Sequence, residues 1–211
     1  KNNFYLQNGI NILKFNNEGV LQETISSGWD HTASNTSGDG IEFDIKDNLI
    51  AVAYCNSKQG STNKGETYIL SKSNNIWSKS SSLNVGHTAL SVEINSDSNS
   101  YYVIGEGPAA GDGFLAKYSK DSNDIWSQSW FKSDSESYIF HRLDITSNEE
   151  IIVKGRTGGS GFTAIYDSNG NQLEKYTDQS LDAKSSIDFE KTINGIGFIR
   201  KVDNKWIAGV N

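Results

Sequence analysis

A chain of 211 residues, 35% apolar and 11% aromatic, can bury a core either as one ordinary domain or as copies of a small unit. Its net charge of −7 argues against a nucleic-acid groove, which needs clustered Lys and Arg. A single cysteine, Cys55, excludes an internal disulfide, and no apolar run reaches the length of a membrane-spanning helix.

The opening segment "NNFYLQNG" (2–9) alternates like a strand. At 10–22, "INILKFNNEGVLQ" reads strand, polar turn, strand, and the Gly/Ser/Asn-rich stretch "GWDHTASNTSGDG" follows at 28–40. Next come Phe43-Asp44-Ile45, the turn "KDN" and the apolar run "LIAVAYC", in which Cys55 reads as a small core residue. The chain then writes one pattern three times: "GETYILSKSNNIW" at 65, "GFLAKYSKDSNDIW" at 113 and "GFTAIYDSNGNQL" at 161, so that Gly65, Gly113 and Gly161 lie 48 residues apart. Each glycine opens a period-two strand. A polar turn follows, then a bulky pair: Ile76-Trp77, Ile125-Trp126 and Gln172-Leu173. Asn169-Gly170 is the strongest turn signal, because both residues tolerate positive φ. A second hairpin recurs as well. Its mark is an acid between apolar residues (Phe43-Asp44-Ile45, Val92-Glu93-Ile94, Leu143-Asp144-Ile145, Ile187-Asp188-Phe189), followed by a turn and an apolar strand such as "YYVIG" or "IIVKG".

One unit is therefore strand, turn, strand, loop, strand, turn, strand, with repeats near 9–64, 65–112, 113–160 and 161–211. The stretch "GFIRKVDNKW" at 197–206 also fits a first hairpin and opens the alternative of a fifth, partial unit. Four-stranded antiparallel units of this length predict an all-β fold, a β-propeller, because one such sheet cannot bury both of its faces alone. Residues 1–211 are expected to form a single propeller domain or a propeller fragment. The three glycines should occupy superposable positions. The opening segment resembles the last strand of a missing preceding unit and is expected to complete the last sheet. The recurring acids are expected to share one structural role, such as satisfying a neighbouring backbone group.

"GFLAKYSKDSNDIW" followed by "LDITSNEEIIVKG" resembles the bacterial propeller repeat called the SBBP repeat: an alternating aromatic strand with a Lys-Tyr pair, an Asp/Asn turn, a Trp, then an apolar-acid-apolar strand. Two units match it well and two in part. The resemblance implies a secreted, surface-attached or virion protein. It supplies no catalytic residue and no cofactor, since the family carries no single activity.

The residues themselves offer little chemistry. His31, His87 and His141 share no repeat position and no zinc-ligand spacing. No serine stands in a nucleophile elbow. Asp167, Asn169 and Asn171 have the oxygen spacing that opens a calcium loop, but a hairpin turn explains the same letters and is the favoured reading. "GEGPAAGDG" (105–113) lacks the Lys-Ser/Thr of a phosphate loop and reads as an inter-unit connection. Trp77 and Trp126 occupy equivalent repeat positions and read as packing between blades, whereas Trp29, Trp130 and Trp206 are unshared. Trp130, beside Asp134 and Glu136, is the candidate binding residue: an indole stacks on a sugar ring or a partner while carboxylates bind hydroxyls.

The expected function is binding or assembly by a non-enzymatic extracellular, cell-surface or virion propeller, with a glycan or protein partner. The Asn/Lys/Ser-rich composition also suits a phage tail component. The alternative is a glycan-acting lyase or hydrolase with its site at the propeller axis. The chain contains no Met, even at position 1, which suggests a processed product or a piece of a larger chain or assembly.

Overall fold

The computed structural model describes residues 3–8, 11–27, 41–56, 64–85, 88–107, 112–134, 139–157, 160–178, 189–192, 195–202 and 205–210. Among these residues every regular element is a strand, and consecutive strands pair antiparallel within each sheet. The first sheet holds β1 (Phe4–Asn8), β2 (Asn11–Phe15) and β3 (Leu21–Ser26). The second holds β4 (Ile41–Lys46), β5 (Leu49–Asn56), β6 (Lys64–Ser73) and β7 (Ile76–Lys79), with short β8 (Leu83–Asn84) pairing back on β6. The third holds β9 (Thr88–Ile94), β10 (Ser100–Glu106), β11 (Gly113–Lys120) and β12 (Trp126–Asp134). The fourth holds β13 (Ile139–Ile145), β14 (Ile151–Thr157), β15 (Ser160–Tyr166) and β16 (Gln172–Asp178). The last holds β17 (Phe189–Thr192), β18 (Gly195–Val202) and β19 (Lys205–Val210).

Two kinds of turn recur between the strands. In the first, a side-chain oxygen at the opening position accepts the N–H groups two and four residues on. Asn16, Asp121, Thr146 and Asp167 all do this. The fourth residue of each such turn has positive φ: Gly19 at 78°, Asp124 at 62°, Glu149 at 61° and Gly170 at 76°. The second sheet instead uses two-residue turns, with Asn74 and Asn75 at φ 51° and 64°. Asp167 belongs to the first kind. Its carboxylate accepts both turn N–H groups and the Asn171 side-chain amide at 2.8 Å, so the hairpin reading of this segment holds.

The sheets stack face to face in chain order, and the core lies between them. Ile12 and Ile25 of the first sheet pack on Ile50, Val52 and Tyr68 of the second. Ala51, Ala53 and Ile69 on the second sheet's other face pack on Tyr101, Val103, Phe114 and Tyr118 of the third. Tyr102, Ile104 and Leu115 then pack on Phe140, Val153, Phe162 and Tyr166 of the fourth. The second and third sheets thus bury both faces by lying between two others, which explains apolar residues on both sides of one strand. This is a β-propeller of antiparallel blades.

Gly65, Gly113 and Gly161 are all buried where the third strand of a sheet begins, paired with Cys55, Glu106 and Arg156. The sheet boundary falls between the two hairpins of the sequence unit. The second, third and fourth blades each take their first two strands from one unit and the next two from the following one.

The opening strand differs from expectation. Among the described residues β1 pairs with β2, in the register Phe4↔Phe15 and Tyr5↔Lys14, so it completes the first sheet and not the last. A two-residue connection closes this hairpin at small entropic cost, and stacked Phe4 and Phe15 rings, with centroids 5.1 Å apart, hold the register.

Candidate functional site at the propeller axis

Of the four strands in a blade, the first lies against its counterparts: β4 contacts β9, and β9 contacts β13. These strands therefore line the axis. Each carries the repeated acid one or two residues before its end: Asp44, Glu93 and Asp144. Asp44 Oδ2 accepts the N–H of Ile94 in the next blade at 2.8 Å, while Oδ1 accepts the N–H of Ile45 at 2.7 Å. The Glu93 carboxylate accepts the N–H of Ile145 one blade further on. Lys46 Nζ adds a bond to the Asn95 carbonyl at 3.2 Å. The acids thus form a ladder from blade to blade that satisfies backbone donors no sheet partner reaches. This is the structural role their recurrence implies. Asp188 lies outside the described residues.

Glu93 sits at the centre of this ladder. Burial pushes its carboxyl up to about 8, helped by the charges of Asp144 and Asp44 and opposed by the Ile145 N–H and by Lys46. Between the ordinary value of 4.5 and about 8, the folded protein keeps a proton that the unfolded chain releases. Stability therefore falls as pH rises through that window and is unaffected below it. Glu93→Gln should flatten this fall in urea unfolding at pH 5 and pH 8.5. An unchanged pH profile would place the proton elsewhere.

The two ends of the axial strands differ. Tight turns join first to second and third to fourth strands at one end. The β5–β6, β10–β11 and β14–β15 connections, and the links between sheets, leave from the other. At this loop end the axial strands present Glu42, Ser91, His141 and Arg142, in three different blades. Burial raises the Glu42 carboxyl, against the charge of Arg142. Burial, and then the charge of Arg156, lower His141.

The residues singled out from sequence are scattered over the fold. Trp130 is half-buried on the outer strand β12, where its ring lies 5.9 Å from that of Tyr102 and against Gly170 of the next blade. A Cβ at Gly170 would come within 2.8 Å of the Trp130 ring. Asp134 ends β12 opposite Gly113, and Glu136 lies outside the described residues, as do His31, His87 and Trp29. Trp77 and Trp126 both lie between blades. Trp77 Nε1 donates to Glu23 of the first sheet at 2.9 Å, and Trp126 packs against Tyr101 at 5.3 Å.

Sequence reading passed over Arg142 and Arg156 as site residues. A signal for them existed: the chain has only three arginines, and repeat-equivalent positions carry none.

No family model and no curated protein matches the chain. Solved structures do resemble it. A hypothetical selenium-binding protein from Sulfolobus tokodaii superposes with a TM-score of 0.54 at 9% identity, over 82% of this chain and 47% of that one. A Bacteroides uniformis protein, described provisionally as a 6-phosphogluconolactonase, gives 0.56 at 12% identity, over 98% of this chain and 68% of that one. The β-propeller domain of the Trilobed protease from Pyrococcus furiosus gives 0.48 at 10% identity, over 81% and 57%. The chain thus spans about half the length of the first of these proteins. At such identities a likeness is one of fold alone; the four-stranded antiparallel sheets stacked face to face make the chain a β-propeller.

Proposed function

We propose that this chain is an SBBP-type propeller that works by binding or assembly and not by catalysis, outside the cell, on a cell surface or in a virion, with a glycan or protein as partner. The observation that carries the reading is the use made of the axial acids. Asp44 and Glu93 are committed to backbone N–H groups of the next blade, which suits a scaffold better than a catalytic carboxylate pair. Trp130, with Asp134 and Glu136, is the candidate contact surface. It is the unshared tryptophan of its repeat position, and it keeps part of its ring in solvent.

A glycan array followed by a turnover assay on every bound glycan tests this reading. Binding without turnover is expected, whereas turnover would favour a glycan-acting enzyme at the axis. Asp44→Ala should cost about 1–3 kcal/mol of stability by stranding the Ile94 N–H, and should leave binding intact. Trp130→Phe should diminish acrylamide-accessible emission and weaken binding. If accessible emission is undiminished while the protein unfolds, Trp130 is core and this contact surface falls.

A further inference from the structure

We propose that the Trp130 surface takes an acidic glycan, with a sugar ring on the indole and a carboxylate or sulfate group of that sugar held by Lys117 and Lys132. This rests on the reading of Trp130 as the contact surface and gives that surface a ligand class.

The register singles out the position. In the first, third and fourth blades the outer hairpin shifts by a residue at the same place, just after Lys14, Lys117 and Ile165. The residues opposite these three are Glu23, Trp130 and Glu174. An indole therefore stands where two other blades carry a glutamate. The rest of the row is shared by the first and third blades. Tyr5 pairs with Lys14 as Tyr102 pairs with Lys117. Each lysine lies over its tyrosine ring, with Nζ 5.8 Å and 5.3 Å from the centroid.

The first blade shows what such a row holds. Both oxygens of Glu23 accept Lys72 Nζ at 2.8 Å, and one also accepts Trp77 Nε1 at 2.9 Å. The charge of Lys14 acts on the same carboxylate. A carboxylate thus sits at a blade boundary beside two lysines and an indole. The third blade has the two lysines and the indole without the acid. Lys132 stands two residues beyond Trp130 on β12 and so shares its face, with Lys117 directly opposite Trp130. A Cβ at Gly170 would lie 2.8 Å from the Trp130 ring and 3.1 Å from Lys132 Cγ, so the lysine stem runs beside the indole edge at the boundary with the fourth blade.

The position is open to a ligand. Trp130 and Lys117 are half-buried and Lys132 is exposed. Among the described residues neither lysine is in an ion pair, although the chain has 26 acids to 19 cationic residues. Glu149, Asp97 and Asp167 are the carboxylates whose charge reaches the Tyr102 hydroxyl. Asp97 and Asp167 accept turn N–H groups, and none of the three is in an ion pair among the described residues. Guarding an edge strand explains a lysine on β12, but not an indole in the place of the acid. An indole beside unpaired ammonium groups matches a sugar that offers both an apolar ring face and an anion. Lys132 also comes between Trp130 and Asp134 along the strand, so the charge nearest the indole on β12 is positive.

The test is calorimetric titration of the full chain, at physiological salt, with neutral cellotetraose, the tetraglucuronate of the same linkage and sulfated cellotetraose. At least one acidic form should bind about tenfold more tightly than the neutral one. Lys132→Gln should weaken acidic binding about fivefold and leave neutral binding unchanged, Lys132→Arg should restore it, and Trp130→Phe should weaken every form that binds. A glucuronate response marks a carboxylate and a response to the sulfated form marks a sulfate; either supports the proposal. Neutral binding as tight as both acidic forms would overturn it and leave the Trp130 contact surface standing. Acidic binding that survives in both Lys132→Gln and Lys117→Gln, each folded, would overturn it as well. If none of the three binds, the proposal falls and the Trp130 surface is left to a protein partner.

Discussion

Gly105→Ala is expected to destabilise the protein by at least about 3 kcal/mol, lowering the melting temperature by roughly 6–12 °C. Gly105 lies on β10, where the β9 register shifts by a residue. That bulge swings the Thr88 carbonyl over the glycine. A Cβ at position 105 would come 1.7 Å from that oxygen and 2.8 Å from the Phe114 ring. The oxygen is backbone and cannot rotate away, so β9 would have to move off β10. The fourth blade repeats the arrangement: a Cβ at Gly155 would meet the Ile139 carbonyl at 2.4 Å and Phe162 at 2.5 Å, again beside a register shift. The second blade has no such shift. There Tyr54 takes the glycine's place, Glu66 takes the place of the phenylalanine, and the Tyr54 hydroxyl donates to the Glu66 carboxylate. One blade thus supplies its aromatic ring from the second strand and the others from the third. Gly19→Ala is the control. It adds a Cβ with nothing within 4 Å, at φ +78°, and should cost only about 1–2 kcal/mol. Equal losses in the two variants would show that the β9 bulge is not as close as described.

Phe140→Ala should cost about 3–5 kcal/mol by urea unfolding. Phe140 is 1% exposed, and its ring packs edge-on against Phe162 at 5.7 Å and tilted against Tyr166 at 6.4 Å. It also covers Gly113 of the preceding blade, where an added Cβ would lie 2.5 Å from the ring. The ring therefore fastens the third blade to the fourth. Its removal leaves a cavity that neighbouring strands cannot collapse into, because their sheets are held by backbone ladders on both sides. Faster hydrogen exchange should follow in β10 and β14 together. A loss below about 1 kcal/mol would mean that the blade interface does not depend on this contact.

The sequence by itself determined what is local. Period-two alternation placed the strands, and Asn, Asp and Gly placed the turns. The 48-residue interval placed Gly65, Gly113 and Gly161 at one recurring site and made stacked four-stranded units the economical way to bury two-faced strands. Recurrence also marked Asp44, Glu93 and Asp144 as structural, since a position shared by successive blades serves the stacking and not one ligand.

Only the tertiary structure decided what is non-local. A strand edge offers the same N–H and C=O groups to any neighbour, so the letters do not say which hairpin joins which. Hence, among the described residues, β1 pairs with β2 and not with the last sheet, and the second, third and fourth blades each straddle two sequence units. The place of Trp130, over Tyr102 and against Gly170 of the following blade, is set by how blades stack and leaves no trace in its neighbours along the chain. The same holds for the pairing of Arg142 with Lys154, which stand opposite each other only because β13 and β14 pair with a one-residue shift at His141. Register is fixed by the fit of side chains between blades, which no single strand encodes.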